Sequence, residues 1–316
     1  MSAPLDSADV LALVAAIPAA AAGGAAFVKG VLGVSTWMRL PRMLVATTLA
    51  AFATSSPELS VSTLAALAGR PAIGLGDALG SNVVNIGLIL GLALLFGPLA
   101  ARVEEFRRDL VLALAAPVLT AVLMLDGSLS HADGVLLLVV LAAWLALASM
   151  DAIASRRKAS SDGTGTPSIR PRVAWLLLLV GLAGLVLAGR LFVAGSTGVA
   201  LALGIHPYVV GATVVAIGTS LPEIVTVLIS RLNGHDDVGL GTLLGSNLFN
   251  GLGIVGVAAS IHAIEVPLAE VAIALAFGVA TVLLILSRAG VLSRRRGVVL
   301  VATYAAFVAC TAAPAI

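Results

Sequence analysis

The chain has a single cysteine, Cys310, in 316 residues. That excludes an intramolecular disulfide and any cysteine-based metal cluster. Cys310 itself reads as a small apolar residue of the last apolar stretch. Charge is also scarce: Asp, Glu, Lys and Arg make up 11% of the residues, against about 25% in an average soluble domain. The net charge of +2 leaves no basic surface of the kind that holds nucleic acid. Early Lys or Arg is missing from the N-terminus, which carries Asp6 and Asp9 instead. A secretory signal needs the opposite charge, so the first apolar stretch is expected to stay in the mature chain.

What remains is hydrocarbon. Hydrophobic residues account for 60% of the chain, and the mean hydropathy is +1.12. This composition describes an all-α integral membrane protein, since a membrane helix needs about 20 mostly apolar residues. Ten spans are read: 9–34, 43–69, 73–98, 108–125, 132–153, 173–200, 207–232, 238–261, 267–287 and 297–314. Residues 154–172 separate them into two halves, 1–153 and 173–316. This break opens on Arg156-Arg157-Lys158, continues with Ser, Gly, Thr and Pro, and reads as a solvated linker.

The few basic residues fix the orientation. Loops 1–2, 3–4, 5–6, 7–8 and 9–10 hold 15 of the 18 Lys and Arg, and the opposite face holds only Arg70. The linker is therefore expected in the cytoplasm and both termini outside. Arg outnumbers Lys 16 to 2 and alanine is abundant, the bias of a GC-rich bacterial gene, so the expected location is a bacterial inner membrane. The cluster Arg294-Arg295-Arg296 serves as a topology signal and can also meet anionic membrane lipid.

The two halves share one polar sentence. Thr54-Ser55-Ser56-Pro57-Glu58 recurs as Thr219-Ser220-Leu221-Pro222-Glu223, and Gly80-Ser81-Asn82-Val83-Val84-Asn85 recurs as Gly245-Ser246-Asn247-Leu248-Phe249-Asn250. Both pairs are offset by 165 residues, and segments 46–91 and 211–256 agree at 18 of 46 positions. This is an internal duplication. Five spans per half is an odd number, so the second half is expected to enter the membrane from the other side as an inverted repeat.

Of sixteen acidic residues, only Glu58 and Glu223 fall near the middle of a span. A carboxylate there costs at least ~2.5–3.5 kcal/mol, and its default reading is functional. Thr54 and Glu58 lie four residues apart, on one helix face, as do Thr219 and Glu223, Ser81 and Asn85, and Ser246 and Asn250. Pro57 and Pro222 are expected inside their helices as helix breaks, where they would free the carbonyls of Ala53 and Gly218. Gly80 and Gly245 would let helices approach closely. An all-oxygen cluster with two carboxylates suits a hard cation, and two Glu balance one Ca²⁺. The histidines, His131, His206, His235 and His262, fall at span ends and read as solvated. The turn His235-Asp236-Asp237 reads likewise. Asp77, four residues before Ser81, is either an acid at a helix start, favoured by the dipole, or a third charge near a pathway mouth.

The paired Thr-Ser-x-Pro-Glu and Gly-Ser-Asn-x-x-Asn segments resemble the alpha repeats of the sodium/calcium exchanger family, within the calcium/cation antiporter superfamily. The likeness covers essentially the whole chain. It implies a transporter without a cofactor, not an enzyme, whose transported ions are Ca²⁺ and Na⁺. By resemblance, Thr54, Glu58, Ser81, Thr219, Glu223 and Ser246 hold Ca²⁺ at the centre. Ala51, Ser55, Asn85, Ala216, Ser220 and Asn250 match flanking Na⁺ positions, and the first and sixth spans slide across the other eight. The chain departs from the family at Ala53 and Ser56, where Gly and Leu are usual, and at Asn250, where well-studied sodium exchangers carry Asp. With two carboxylates, one Ca²⁺ or two protons neutralise the pocket, whereas three Na⁺ leave it at +1. Proton-coupled relatives usually carry Gly-Asn-x-x-Glu, which this chain lacks. Ca²⁺/Na⁺ exchange is therefore the reading, Ca²⁺/H⁺ exchange on the same two Glu the alternative, and a cation channel the reading from another class.

Overall fold

The computed structural model describes residues 6–100, 103–161, 169–202, 216–266, 268–286 and 290–312. It is mostly helical. Helix α1 spans Ser7–Met38, α2 Arg42–Thr54, α3 Ser56–Leu67, α4 Pro71–Leu95, α5 Val103–Leu123, α6 His131–Ser161 and α7 Pro171–Ala202. Then follow α8 Ala216–Thr219, α9 Leu221–Leu232, α10 Asp236–Ile261, α11 Leu268–Leu284 and α12 Arg294–Ala312. Among the described residues, five helices (α1, α4, α6, α7 and α10) are by themselves long and apolar enough to cross a membrane.

The other expected spans differ for identifiable reasons. The span read at 43–69 is two helices, α2 and α3, broken at Ser55 (φ −82°, ψ 5°). The span read at 207–232 breaks in the same way at Ser220 (φ −83°, ψ 10°), between α8 and α9. Residues 207–215 of that span, 211–215 of the second repeat motif, 162–168 of the linker and His206 lie outside the described residues. Pro57 and Pro222, expected as helix breaks, stand two residues after the breaks themselves. Each is the second residue of a new helix, where the missing N–H has no intrahelical partner to lose. Helix α6 runs on to Ser161, past the expected start of the linker at 154.

Burial separates centre from periphery. Of the most apolar 18-residue stretch in each helix, 72% is buried in α4 and 83% in α10, against 22% in α1, 22% in α6 and 28% in α7. Helices α4 and α10 therefore run through the middle, while α1, α6 and α7 present apolar side chains outward. A hydrophobic outer surface has no function in water but matches lipid. Helices α1 and α7 pack along each other over their length. A Cβ on Gly30 would stand 2.6 Å from Leu178 Cα, and one on Gly181 2.6 Å from Phe27 Cα, so the seam depends on bare backbone.

Among the described residues, three stretches are wound as π-helix: Ala46–Ala50 within α2, Val84–Leu90 within α4 and Phe249–Ile254 within α10. Such bulges occur frequently at functional sites, and the last two hold Asn85 and Asn250. Among the described residues, two short ladders tie the loops. Strand β1 (Leu99–Ala100) pairs antiparallel with β4 (Val291–Leu292), and β2 (Ser128–Leu129) with β3 (Ile264–Glu265).

Gly245 meets the expectation of close helix approach: a Cβ there would stand 2.6 Å from Ala51 Cβ and 2.7 Å from the Thr47 carbonyl carbon. Around Gly80 no described atom comes within 4 Å, and residues 212–215, which repeat Thr47–Ala50, lie outside the described residues. Overpacking a tight contact costs about 1–3 kcal/mol. Gly245→Ala is thus expected to lower the melting temperature of the detergent-solubilised protein. Gly76→Ala, at an exposed helical position where no described atom comes within 4 Å, is expected to hold or raise it. Equal melting temperatures for the two variants would contradict the packing assigned to Gly245.

Candidate functional site

The two helix breaks and the two central helices converge on one buried polar cluster. Glu58 stands in the first turn of α3 and Glu223 in the first turn of α9, each 1% exposed. The breaks supply the reason: ending α2 and α8 just before the prolines leaves the first-turn N–H groups of α3 and α9 without helical partners. A carboxylate is favoured at such a positive helix end. The two carboxylates are near enough to repel each other electrostatically.

Hydroxyls from both halves surround Glu223. Its Oε1 accepts from Ser246 Oγ at 3.2 Å and from Ser55 Oγ at 3.5 Å. Thr54 Oγ1 lies 3.4 Å from Ser246 Oγ. One carboxylate of the second repeat is thereby bracketed by residues of both. Thr54, Ser55, Ser81, Asn85, Ser220, Ser246 and Asn250 are all buried alongside.

Many of these oxygens have no hydrogen-bond donor. Glu58 Oε2, Glu223 Oε2, Ser81 Oγ, Ser220 Oγ, Asn85 Oδ1 and Asn250 Oδ1 are buried and unpartnered. Native proteins leave few buried polar atoms unsatisfied, and each such atom calls for an explanation. These six, two of them carboxylate oxygens, are donors of the kind a hard cation takes, which satisfies lone pairs that no N–H reaches. Among the described residues no group of three or more His, Cys, Asp and Glu has metal-site geometry, so side chains of the kinds that bind zinc or copper are not gathered here.

Other sequence-derived site residues are placed differently. Ala51 is buried, and its carbonyl already accepts Ser55 N–H at 3.0 Å and Thr54 Oγ1 at 3.2 Å. A cation at that carbonyl would have to displace the Thr54 hydroxyl. The Ala53 carbonyl, expected to be freed by Pro57, instead accepts Ser56 Oγ at 2.7 Å. The second copy has Leu221 at that position and cannot do the same. Ala216 begins α8, but its side chain lies outside the described residues. Thr219 is half-buried. It lines a groove of about 520 Å³ with Pro57, Leu64, Arg190 and Pro222, between α3, α7 and α9. The turn His235-Asp236-Asp237 is more than solvated loop: both acids lie in the first turn of α10, and Asp236 pairs with Arg231 at 2.7 Å.

Asn82 and Asn247 are site residues that the sequence reading passed over. Asn82 Nδ2 donates to the Asn247 carbonyl at 3.2 Å and Asn247 Nδ2 to the Asn82 carbonyl at 3.1 Å. Asn85 Nδ2 donates to Asn247 Oδ1 at 3.0 Å. The two central helices are thus clamped amide to backbone by residues 165 apart. The signal was in the sequence, since each Asn is the third residue of its Gly-Ser-Asn motif.

The site can be set beside known proteins. The family model described as sodium/calcium exchanger protein matches residues 9–150 and 173–312. The chain is 35% identical over 238 residues to the putative antiporter CaxA of Alkalimonas amylolytica, covering 73% of this chain and 74% of that protein. It is also 35% identical over 241 residues to the inner membrane protein YrbG of Escherichia coli (strain K12), covering 73% of each. Among solved structures, the sodium-calcium exchanger NCX_Mj soaked with zero Na⁺ and Ca²⁺ aligns with a TM-score of 0.78. The identity is 27%, over 96% of this chain and 98% of that one. With its two repeat segments inside the matched ranges, the chain belongs to the sodium/calcium exchanger protein family.

Proposed function

We propose that this chain is a secondary active antiporter that exchanges Ca²⁺ for Na⁺ across a bacterial inner membrane. The single observation that carries this reading is the set of buried, unpartnered oxygens around Glu58 and Glu223. Two carboxylates in a low-dielectric interior are stable only when their charge is compensated, and one Ca²⁺ or two monovalent cations compensate it. Ca²⁺ and Na⁺ would share Glu58 and Glu223, and competition for those two side chains would couple the two movements. Thr54, Ser81, Thr219 and Ser246 would complete the Ca²⁺ shell, and Ser55, Asn85, Ser220 and Asn250, with Ala51 and Ala216, would hold Na⁺.

The architecture proposed with it is ten spans in two inverted halves, 1–153 and 173–316, with the linker cytoplasmic and both termini outside. Several local features support it. The breaks at Ser55 and Ser220 have nearly the same dihedrals. Gly69 (φ 71°) and Gly234 (φ 72°), again 165 residues apart, close the turns after α3 and α9. The ladders pair β1 with β4 and β2 with β3, each joining a loop of one half to a loop of the other.

The reading is tested by Ca²⁺ uptake into proteoliposomes preloaded with Na⁺ or with acid, each with an ionophore control. Uptake is expected to require the Na⁺ gradient. Uptake driven by the proton gradient would assign the chain to Ca²⁺/H⁺ exchange on the same two Glu, and uptake with neither gradient would make it a channel. In the same assay Glu58→Gln and Glu223→Gln are each expected to lower uptake by about 100-fold or more, because breaking a buried charge arrangement costs about 3–5 kcal/mol. Full activity in either variant would contradict the site. Asn250→Asp adds a carboxylate beside the pocket and is expected to steepen the Na⁺ dependence; an unchanged Na⁺ response would show that this position does not set coupling.

A further inference from the structure

Four buried, unpartnered oxygens lie along the seam between α3 and α4: Glu58 Oε2, Ser62 Oγ, Asp77 Oδ2 and Ser81 Oγ. Two of them, from Ser62 and Asp77, belong to neither the Ca²⁺ set nor the Na⁺ set described above. Ser62 is four residues beyond Glu58 on α3, and Asp77 four residues before Ser81 on α4. Both are therefore one helical turn, about 6 Å, from the central cluster toward the turn at 68–70. Asp77 is not a helix-start acid. Helix α4 begins at Pro71 and has no acidic residue in its first turn, so the dipole does not account for it.

The geometry closes these residues on one another. Helices α3 and α4 pack together. They meet at Gly74, where a Cβ would stand 2.8 Å from both Ser62 Cα and Ser62 Cβ. The Ser62 side chain, 1% exposed, is thus pressed onto α4 at the turn just before Asp77, on the same helix face. Asp77 in turn lies within electrostatic range of Glu58. The second repeat lacks all of this. Ser62 is matched there by Val227, and Asp77 by Thr242, whose hydroxyl is spent on the Val238 carbonyl at 2.9 Å. A requirement of the repeat fold itself would appear in both copies.

We propose that Glu58, Ser62, Asp77 and Ser81 form an additional cation site, a Na⁺ position on the α3–α4 seam. The proposal rests on the Ca²⁺/Na⁺ antiporter reading and extends it. Glu58 is shared with the central pocket, so the only charge the site adds is that of Asp77, which one monovalent cation balances. Four side-chain oxygens fall short of the six to eight that Ca²⁺ takes. Glu58 and Glu223 alone leave three Na⁺ at +1; with Asp77 the three carboxylates balance three Na⁺.

The test is the melting temperature of the full chain in detergent, titrated with NaCl at constant ionic strength, with KCl as the control salt, and separately with CaCl₂. A cation that binds the folded state raises the melting temperature in proportion to its occupancy. Asp77→Asn is expected to raise the Na⁺ concentration for half-maximal stabilisation about tenfold, and the Ca²⁺ concentration by less than about threefold. Ser62→Val, which copies the second repeat, removes one neutral ligand and is expected to raise the Na⁺ value about threefold. It keeps the proposal testable if Asp77→Asn does not fold. Na⁺ values within twofold of the parent chain in every variant that folds, equal weakening of both ions, or an equal response to K⁺ overturns the site. Failure of the central reading is distinguishable: Glu58→Gln with the parent chain's Ca²⁺ response would remove the Ca²⁺ site whatever Asp77→Asn does.

Discussion

The structure depends on keeping two carboxylates, Glu58 and Glu223, close together in an interior with almost no counter-charge. Each is 1% exposed, and no Lys or Arg pairs with either among the described salt bridges. Desolvation and mutual repulsion both oppose the arrangement. What opposes them is a shell of hydroxyls and amides and the open N-terminal turns of α3 and α9. That shell is incomplete by design of the residues present, because the second oxygen of each Glu accepts nothing. A site that is fully satisfied has no use for an ion; a site with unsatisfied anionic oxygens binds one and is stabilised by it.

The rest of the fold is arranged to bring these groups together. Prolines follow each helix break so that a new helix starts with its dipole aimed at the cluster. Gly245 lets α10 approach α2 closely enough for Ser246 to reach Thr54. The reciprocal amide contacts of Asn82 and Asn247 fix the register of α4 against α10, and the Asn85 and Asn250 oxygens are left buried and unpartnered on π-wound turns. The outer helices carry little of this chemistry. The seam of α1 with α7 is built on Gly23, Gly30 and Gly181, a close backbone contact.

Much of this was legible in the sequence because the polar residues are so few. A duplicated Thr-Ser-x-Pro-Glu in a chain that is 60% hydrophobic marks the candidate site, and the helical faces followed from i,i+4 spacing. Pro57 and Pro222 marked the helix breaks, which fall two residues earlier, at Ser55 and Ser220. Two things were not legible. The fate of the Ala53 carbonyl turned on a local hydroxyl, Ser56, that differs from the second copy. Ser62 escaped because reading by duplication favours residues with a repeat mate, and its mate is Val227. Residues without a repeat mate of the same kind, such as Ser62, are located by packing.

The central claim is that one Ca²⁺ sits between Glu58 and Glu223. The most direct measurement is a crystal structure of the chain soaked in Sr²⁺, a heavier stand-in for Ca²⁺ with an anomalous signal. The account predicts one strong anomalous peak between the two carboxylates, at roughly the 2.3–2.6 Å expected for Ca²⁺ or slightly longer, with oxygens of Thr54, Ser81 or Ser246 completing the shell. A peak elsewhere, or none at Sr²⁺ concentrations that block Ca²⁺ uptake, would contradict it.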